Sequence, residues 1–209
     1  MNPYLAAGLA MCAVLFIALA LTAYMAVYFN RRSKADLEAA LRPLADVLDD
    51  GTLDLDAATV RGRFNRRLVI AMVTTAEGGP VRVFRTDVVD PAGGTKWLLV
   101  SLPPRKDQTD RTEEFEATDP ALRAQLRLPA SAELARSLEA GKDWFQLEYD
   151  PDGGYVRLTK PMDTRKDIPG VDLFRSSLEL LEAVAARNRE VQQAPATPSG
   201  SSIGEQRDV

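Results

Sequence analysis

Histidine is absent from this 209-residue chain, and cysteine occurs once, as Cys12. Without histidine there is no Ser-His-Asp triad, no Cys-His nucleophile pair and no Cys/His metal centre. One cysteine cannot close an intramolecular disulfide, so a stapled secreted scaffold is excluded too. Charge of one sign is also lacking. The 26 basic and 30 acidic side chains leave a net charge of −4, whereas a nucleic-acid-binding domain usually carries a basic excess. Nucleic acid is therefore not an expected partner. What remains is ordinary: 45% hydrophobic, 27% charged and 7% aromatic residues, enough for one packed domain with appendages.

The one long hydrophobic run lies at the start. Pro3 to Phe29 contains no charged side chain, and its 27 residues span about 40 Å as a helix, against about 30 Å of bilayer hydrocarbon. Tyr4 lies near one end, and Tyr24, Tyr28 and Phe29 near the other, where aromatics suit the interfaces. A cleaved signal peptide would have a basic n-region and a shorter apolar stretch. Here only Met1-Asn2 precedes the run, and apolar residues continue past the small-residue site Ala18-Leu19-Ala20. A lipoprotein reading at Cys12 fails because Met11 stands where a small residue is needed. Arg31, Arg32 and Lys34 follow the run at once, and basic flanks stay cytoplasmic. The expectation is an integral single-pass membrane protein, N-terminus outside, with everything after Asn30 cytoplasmic. Cys12 then serves as an apolar filler in lipid.

Three segments follow: the anchor with its basic flank over 1–34, a soluble α+β domain over 35–193, and a tail over 194–209. Leu37, Leu41, Leu44 and Leu48 predict a helix over 35–49, kinked or split by Pro43 and ended by Asp50-Gly51. Residues 53–56 read as a connector. Residues 58–102 read as strands, with Val60, Gly62 and Phe64 alternating against Arg61 and Arg63. Turns are expected at Asn65-Arg66, Glu77–Pro80 and Asp90–Gly94, giving an antiparallel meander. After a polar loop over 105–114, Phe115 begins a short strand. Asp119-Pro120 opens a short helix through Leu126, and Ser131 opens another that Gly141 ends. Trp144–Tyr149 and Tyr155–Lys160 form a last hairpin. Val171, Phe174, Leu178, Leu181, Ala185 and Asn188 share one face of a long amphipathic helix. Burying its large apolar side chains contributes about 1.5–3 kcal/mol each. The tail, small, polar and proline-containing, is expected to be disordered.

Chemistry-bearing patterns each meet a plainer explanation. Asp150-Pro151-Asp152-Gly153-Gly154 superficially resembles a calcium loop, but the twelfth position, where a bidentate glutamate belongs, is Pro161. A hairpin turn accounts for it. Asp46, Asp49, Asp50, Asp54 and Asp56 form an acidic stretch with nothing to converge them on a cation. Glu113 with Glu114, and Asp163 with Asp167, are carboxylate pairs, yet acid/base work needs one of two carboxyls desolvated, and these lie in polar segments. The glycine pairs at 78–79, 93–94 and 153–154 fit no phosphate-loop spacing. No cofactor and no metal are implied, and no catalytic residue is assigned. The most suggestive cluster is basic. Arg61, Arg63, Arg66 and Arg67 surround a hairpin, and Arg31, Arg32 and Lys34 lie at the bilayer. Together they could contact anionic lipid, at about 1 kcal/mol per basic residue.

The order of elements runs from membrane helix through a G-x-F-x-R-R hairpin, a meander and an Asp-Pro-Ala-Leu helix. Strands ending in Gly-Tyr-Val-Arg-Leu and a long helix ending in Leu-Glu-Leu-Leu-Glu-Ala-Val-Ala complete it. This layout is similar to uncharacterised bacterial membrane-anchored α+β domain proteins. The resemblance implies a lone N-terminal span and a mostly antiparallel sheet packed by helices, and it supplies no catalytic residues. The functional expectation is a membrane-held, non-enzymatic module that binds another protein. An anionic-lipid-surface sensor, and a tethered enzyme working through carboxylates without histidine, are the alternatives.

Overall fold

Between Gly8 and Pro43 the chain contains neither glycine nor proline, so nothing local stops a helix once it starts. The structure, a computed structural model, describes residues 3–76, 79–91, 93–106 and 108–193. It carries the chain from the apolar run into the charged one as a single helix, α1 (Pro3–Ala45). The separate helix expected over 35–49 is thus the last turns of α1. Pro43 has no N–H for the Ala39 carbonyl and crowds it, and α1 ends two residues later rather than at Asp49. Asp50-Gly51 lies inside a strand, and part of the expected connector over 53–56 is strand as well. The expected tail over 194–209 lies outside the described residues.

The strands are β1 (Asp49–Asp54), β2 (Thr59–Phe64), β3 (Arg67–Thr75), β4 (Arg82–Val89), β5 (Trp97–Leu102), β6 (Thr112–Ala117), β7 (Phe145–Asp150) and β8 (Tyr155–Met162). The helices after α1 are α2 (Leu122–Leu126), α3 (Ser131–Ser137) and α4 (Val171–Gln193), with a 3-10 turn over Arg165–Asp167. The fold is α+β, with an antiparallel eight-stranded sheet in the order β1-β2-β3-β4-β8-β7-β5-β6. The expected meander therefore breaks after β4, where the last hairpin enters. Burial explains the order. Phe145, Leu147 and Tyr149 make β7 a strand for the middle, while the three glutamates of β6 suit an edge.

The chain divides into two compact units. The first comprises Met1–Arg85 with Pro161–Phe174. Its β1 and β2 pair from Asp49↔Arg63 to Asp54↔Thr59, and β2 and β3 from Thr59↔Met72 to Phe64↔Arg67. Asn65 (φ 47°) and Arg66 (φ 71°) are both left-handed, as a two-residue type I′ hairpin requires. Leu41, Leu44 and Leu48 of the predicted stripe are buried, as are Val60, Val69 and Ala71. Two glycines set the approach of the α1 end to the strands. A Cβ on Gly51 would fall 1.9 Å from the Ala45 carbonyl oxygen, and one on Gly62 would fall 2.6 Å from Leu48 Cβ. Phe84 meets Phe174 edge to face at 6.4 Å.

The second unit comprises Thr86–Lys160 with Arg175–Val209. Register places Trp97, Leu99 and Ser101 of β5 across from Tyr149, Leu147 and Phe145 of β7, all on one face. Trp97 stacks between Phe115 and Tyr149, with centroids at 6.2 and 6.5 Å. Leu178, Leu181, Ala185 and Asn188 of α4 are fully buried, and Trp97 Nε1 donates to Asn188 Oδ1 at 2.9 Å. The amphipathic stripe is thus the buried one, with Asp172, Arg175 and Glu179 exposed. Both short helices depart from their expected ends. α2 begins at Leu122, because Asp119 Oδ1 accepts from Ala121 N and shapes the turn ahead of it. α3 stops at Ser137, with Glu139 rather than Gly141 in the left-handed conformation (φ 50°).

Candidate functional site

The direction of β1 decides which end of the first unit lies toward the apolar part of α1. Gly51 touches the backbone of Ala45, whereas Lys34 Nζ lies 2.7 Å from Asp56 Oδ1, just beyond β1. Eleven helical residues separate those contacts on α1, about 16 Å. The β1–β2 turn therefore lies at the apolar-segment end, and the β2–β3 hairpin at the far end. Asp54 Oδ1 accepts from the N–H groups of Asp56 and Ala57, both at 3.0 Å, and shapes that turn. The hydrogen bond and charge of Lys34 hold the Asp56 carboxyl below its ordinary range.

This geometry separates the basic residues that the sequence groups together. Arg31, Arg32 and Lys34 are exposed on α1. Arg66 is exposed at the hairpin tip, alongside the Ala45–Leu48 end. Arg61 and Arg63 are exposed on one face of the strands, paired across β3 with Ile70 and Leu68. Arg67, across from Phe64, is half-buried on the other face. The seven residues do not form one patch.

A different set converges at the apolar-segment end. A cleft of about 280 Å³ opens there. Its apolar lining comes from Leu37 of α1, Val73 of β3, Met162 of β8 and Ile168 after the 3-10 turn. Its polar lining comes from Thr74, Thr75, Arg82, Asp163, Thr164 and Arg165. Arg165 is held in place: Nη1 donates to the Ser33 carbonyl at 2.8 Å, Nη2 donates to Ser33 Oγ, and Asp36 Oδ2 lies 3.6 Å away. Asp167 Oδ2 accepts from the N–H groups of Asp163 (3.0 Å) and Thr164 (2.6 Å), which fixes the turn that carries Arg165. The guanidinium of Arg82 is exposed, and among the described residues it has no ion pair or side-chain hydrogen bond. Sequence reasoning missed this site. Arg82 and Arg165 are 83 positions apart, and no spacing rule joins them.

Several polar groups of the second unit are held by neighbouring side chains and backbone. Arg157 Nε donates to Asp87 Oδ1 at 2.9 Å, Glu148 Oε2 lies 3.7 Å from Nη1, and Tyr155 covers the guanidinium at 4.1 Å. Burial lowers the Arg157 pKa, but the Asp87 hydrogen bond and charge outweigh it and the net direction is up. Arg111 donates to Ser101 Oγ (2.9 Å) and to the carbonyls of Ala140 (2.9 Å) and Asp143 (2.7 Å), so it stitches the α3 exit to β5. Glu113 accepts from Arg123 Nε (2.9 Å) and from Ser131 Oγ. Partial burial raises its pKa, but those two bonds prevail and hold it down. Glu114, its expected pair mate, faces the other side of β6. Asp150 Oδ1 accepts from the N–H groups of Asp152 (3.1 Å) and Gly153 (3.4 Å), which is hairpin-turn chemistry. Its carboxyl is raised by burial but driven lower overall by Tyr155 and these N–H groups. Acid catalysis needs a carboxyl displaced upward, whereas Asp56, Glu113 and Asp150 are each displaced downward. The acidic stretch from Asp46 to Asp56 is spread over three elements. Among the described residues no three metal-capable side chains cluster.

No family model, curated protein or solved structure matches this chain.

Proposed function

We propose that the chain is an integral single-pass membrane protein whose α+β part acts on the cytoplasmic side as a non-enzymatic accessory module for another membrane-associated protein. The observation that carries this reading is the double character of α1. Every side chain from Met11 to Arg32 is exposed, Phe16, Ile17 and Leu19 by 66–73%, so no other described part of this chain covers that stretch. One helix, long and apolar enough to cross a membrane, contains it. Twelve residues after Phe29 the same helix supplies Leu41 to a protein core. An exposed apolar helix fits lipid and a buried one fits a core, and α1 is both without a linker. Arg31, Arg32 and Lys34 at the junction orient the domain inward. Confinement to the membrane plane raises the effective concentration toward a partner in the same membrane.

The test is made on the full chain with a C-terminal epitope in bacterial membranes. Retention after carbonate washing and protection of the epitope from protease added to intact spheroplasts are expected. Release by carbonate sinks the span, and digestion of the epitope sinks the cytoplasmic placement. In-membrane crosslinking is then expected to give a discrete partner adduct, and a protein that crosslinks to nothing is not an accessory subunit.

A further inference from the structure

We propose that the cleft at the apolar-segment end of the first unit binds the phosphate-bearing headgroup of an anionic lipid, with Arg82 as the primary phosphate contact. The proposal rests on the reading that α1 spans the bilayer.

Position comes first. Ser33, to which Arg165 is bound, lies three residues beyond Asn30, and Leu37 lies seven beyond. At 1.5 Å per residue these are about 4.5 and 10 Å along α1. The headgroup layer is about 5–7 Å deep on each side of the hydrocarbon. With the apolar run tilted so that Asn30 stands at the hydrocarbon edge, the cleft opens at the level of the lipid phosphates or just above them.

Chemistry comes second. Arg82 and Arg165 outweigh Asp163 in formal charge among the lining residues. Ser33 and Asp36 fix Arg165, whereas Arg82 keeps its donors available. A guanidinium presents a planar fork matched to phosphate oxygens. Thr74, Thr75 and Thr164 border the same space with hydroxyl-bearing side chains. Leu37, Val73, Met162 and Ile168 give it an apolar side, which a free inorganic anion would not use and the first methylenes of a lipid's acyl chains would.

A third observation favours lipid over a soluble phosphate. Outside α1, among the described residues, Val81 is a large hydrophobic side chain left 44% exposed; Leu68, equally exposed, lies by the β2–β3 hairpin at the far end. Val81 immediately precedes Arg82. An exposed valine beside an unpaired arginine suits a segment that rests on the headgroups.

The experiment uses the full chain in nonionic micelles. Dioctanoyl phosphatidylglycerol is titrated against dioctanoyl phosphatidylcholine, with inorganic phosphate as the soluble-anion arm. Native mass spectrometry counts bound molecules, and hydrogen exchange locates them. One phosphatidylglycerol per chain is expected, with slower exchange over 73–75 and 162–168. Arg82→Gln should weaken binding about tenfold, and Arg66→Gln, at the far end, should leave it unchanged. Equal binding of phosphatidylcholine, equal binding of inorganic phosphate, or insensitivity to Arg82→Gln overturns the proposal. Carbonate washing of membranes that hold the same chain separates the two readings. Loss from the membrane sinks the span, whereas retention without phosphatidylglycerol binding sinks the cleft alone.

Discussion

Truncating Leu41 to alanine asks whether the helix that carries the apolar run is also part of a folded core. Leu41 has no exposed surface. Removing its three terminal carbons forfeits about 0.8 kcal/mol per buried carbon, or about 2.4 kcal/mol of transfer energy. The cavity left under α1 adds to that, for a total of about 2–5 kcal/mol. Leu37, half-buried on the cleft, should cost less than half as much. Leu15, 57% exposed in the apolar part of α1, should cost the first unit nothing. Hydrogen exchange over β2 and β3 in micelles reads the difference. At about 1.4 kcal/mol per factor of ten, Leu41→Ala should speed exchange there by about 30-fold to a few thousand-fold. Leu15→Ala should leave it at the parent rate. Exchange in Leu41→Ala within threefold of the parent would mean that α1 is a tether and not a core element. Equal acceleration by Leu15→Ala would mean that exchange reports micelle packing instead.

Asn188→Ala leaves the buried Trp97 indole N–H without its acceptor, at about 1–3 kcal/mol. Because Trp97→Phe removes that donor, a denaturation cycle of the two variants should show about 1 kcal/mol of coupling, and additivity contradicts the pairing. Glu113 has its carboxyl held below the ordinary 4.5, so its contribution is complete above that value and drains away as pH falls further. The stability gap between parent and Glu113→Gln, measured by denaturation from pH 6 downward, should narrow below pH 4.5, and a constant gap refutes the bonds to Arg123 and Ser131. Gly62→Ala drives a Cβ to 2.6 Å from Leu48 Cβ, an atom one bond from the backbone that cannot swing away. A loss of about 1–3 kcal/mol should appear as a lower melting temperature, and an unchanged one means the α1 end does not press on β2.

Local rules carried far where one element's periodicity decides its burial. The α4 stripe is buried from Phe174 to Asn188 because an amphipathic helix has one low-energy way to face a sheet. The Asn65-Arg66 turn forms because two residues between strands leave few backbone solutions, and asparagine tolerates the left-handed one. The unbroken α1 could have been read from the lack of glycine and proline before Pro43. The change from apolar to charged side chains suggested a boundary, but a helix backbone is indifferent to that change. Sheet order was not legible, because hairpin turns specify sequence neighbours and say nothing of where β7 and β8 insert. The cleft was least legible of all. Arg82 begins a strand and Arg165 a 3-10 turn, and only the return of β8 beside the α1 junction brings them together. The arginines that looked clustered, Arg61 to Arg67, are neighbours in sequence but divided by the pleat.

On the proposed reading that α1 spans the bilayer, a helix without a joint fixes the height of the cleft above the bilayer as well as its rotation about the helix axis. Seven helical residues inserted between Asn30 and Arg31 would raise the first unit by about 10 Å and turn it by only about 20°. That lift exceeds the depth of the headgroup layer, while the cleft itself is unaltered. In bilayer nanodiscs containing phosphatidylglycerol, the insertion should abolish the slow exchange over 73–75 and 162–168. Binding of dioctanoyl phosphatidylglycerol in micelles, where the lipid diffuses to the site, should persist at parental affinity. Loss of both would mean that the insertion damaged the fold. Persistence of both would mean that the junction bends, and the rigid continuity of α1 from lipid to core would then be wrong.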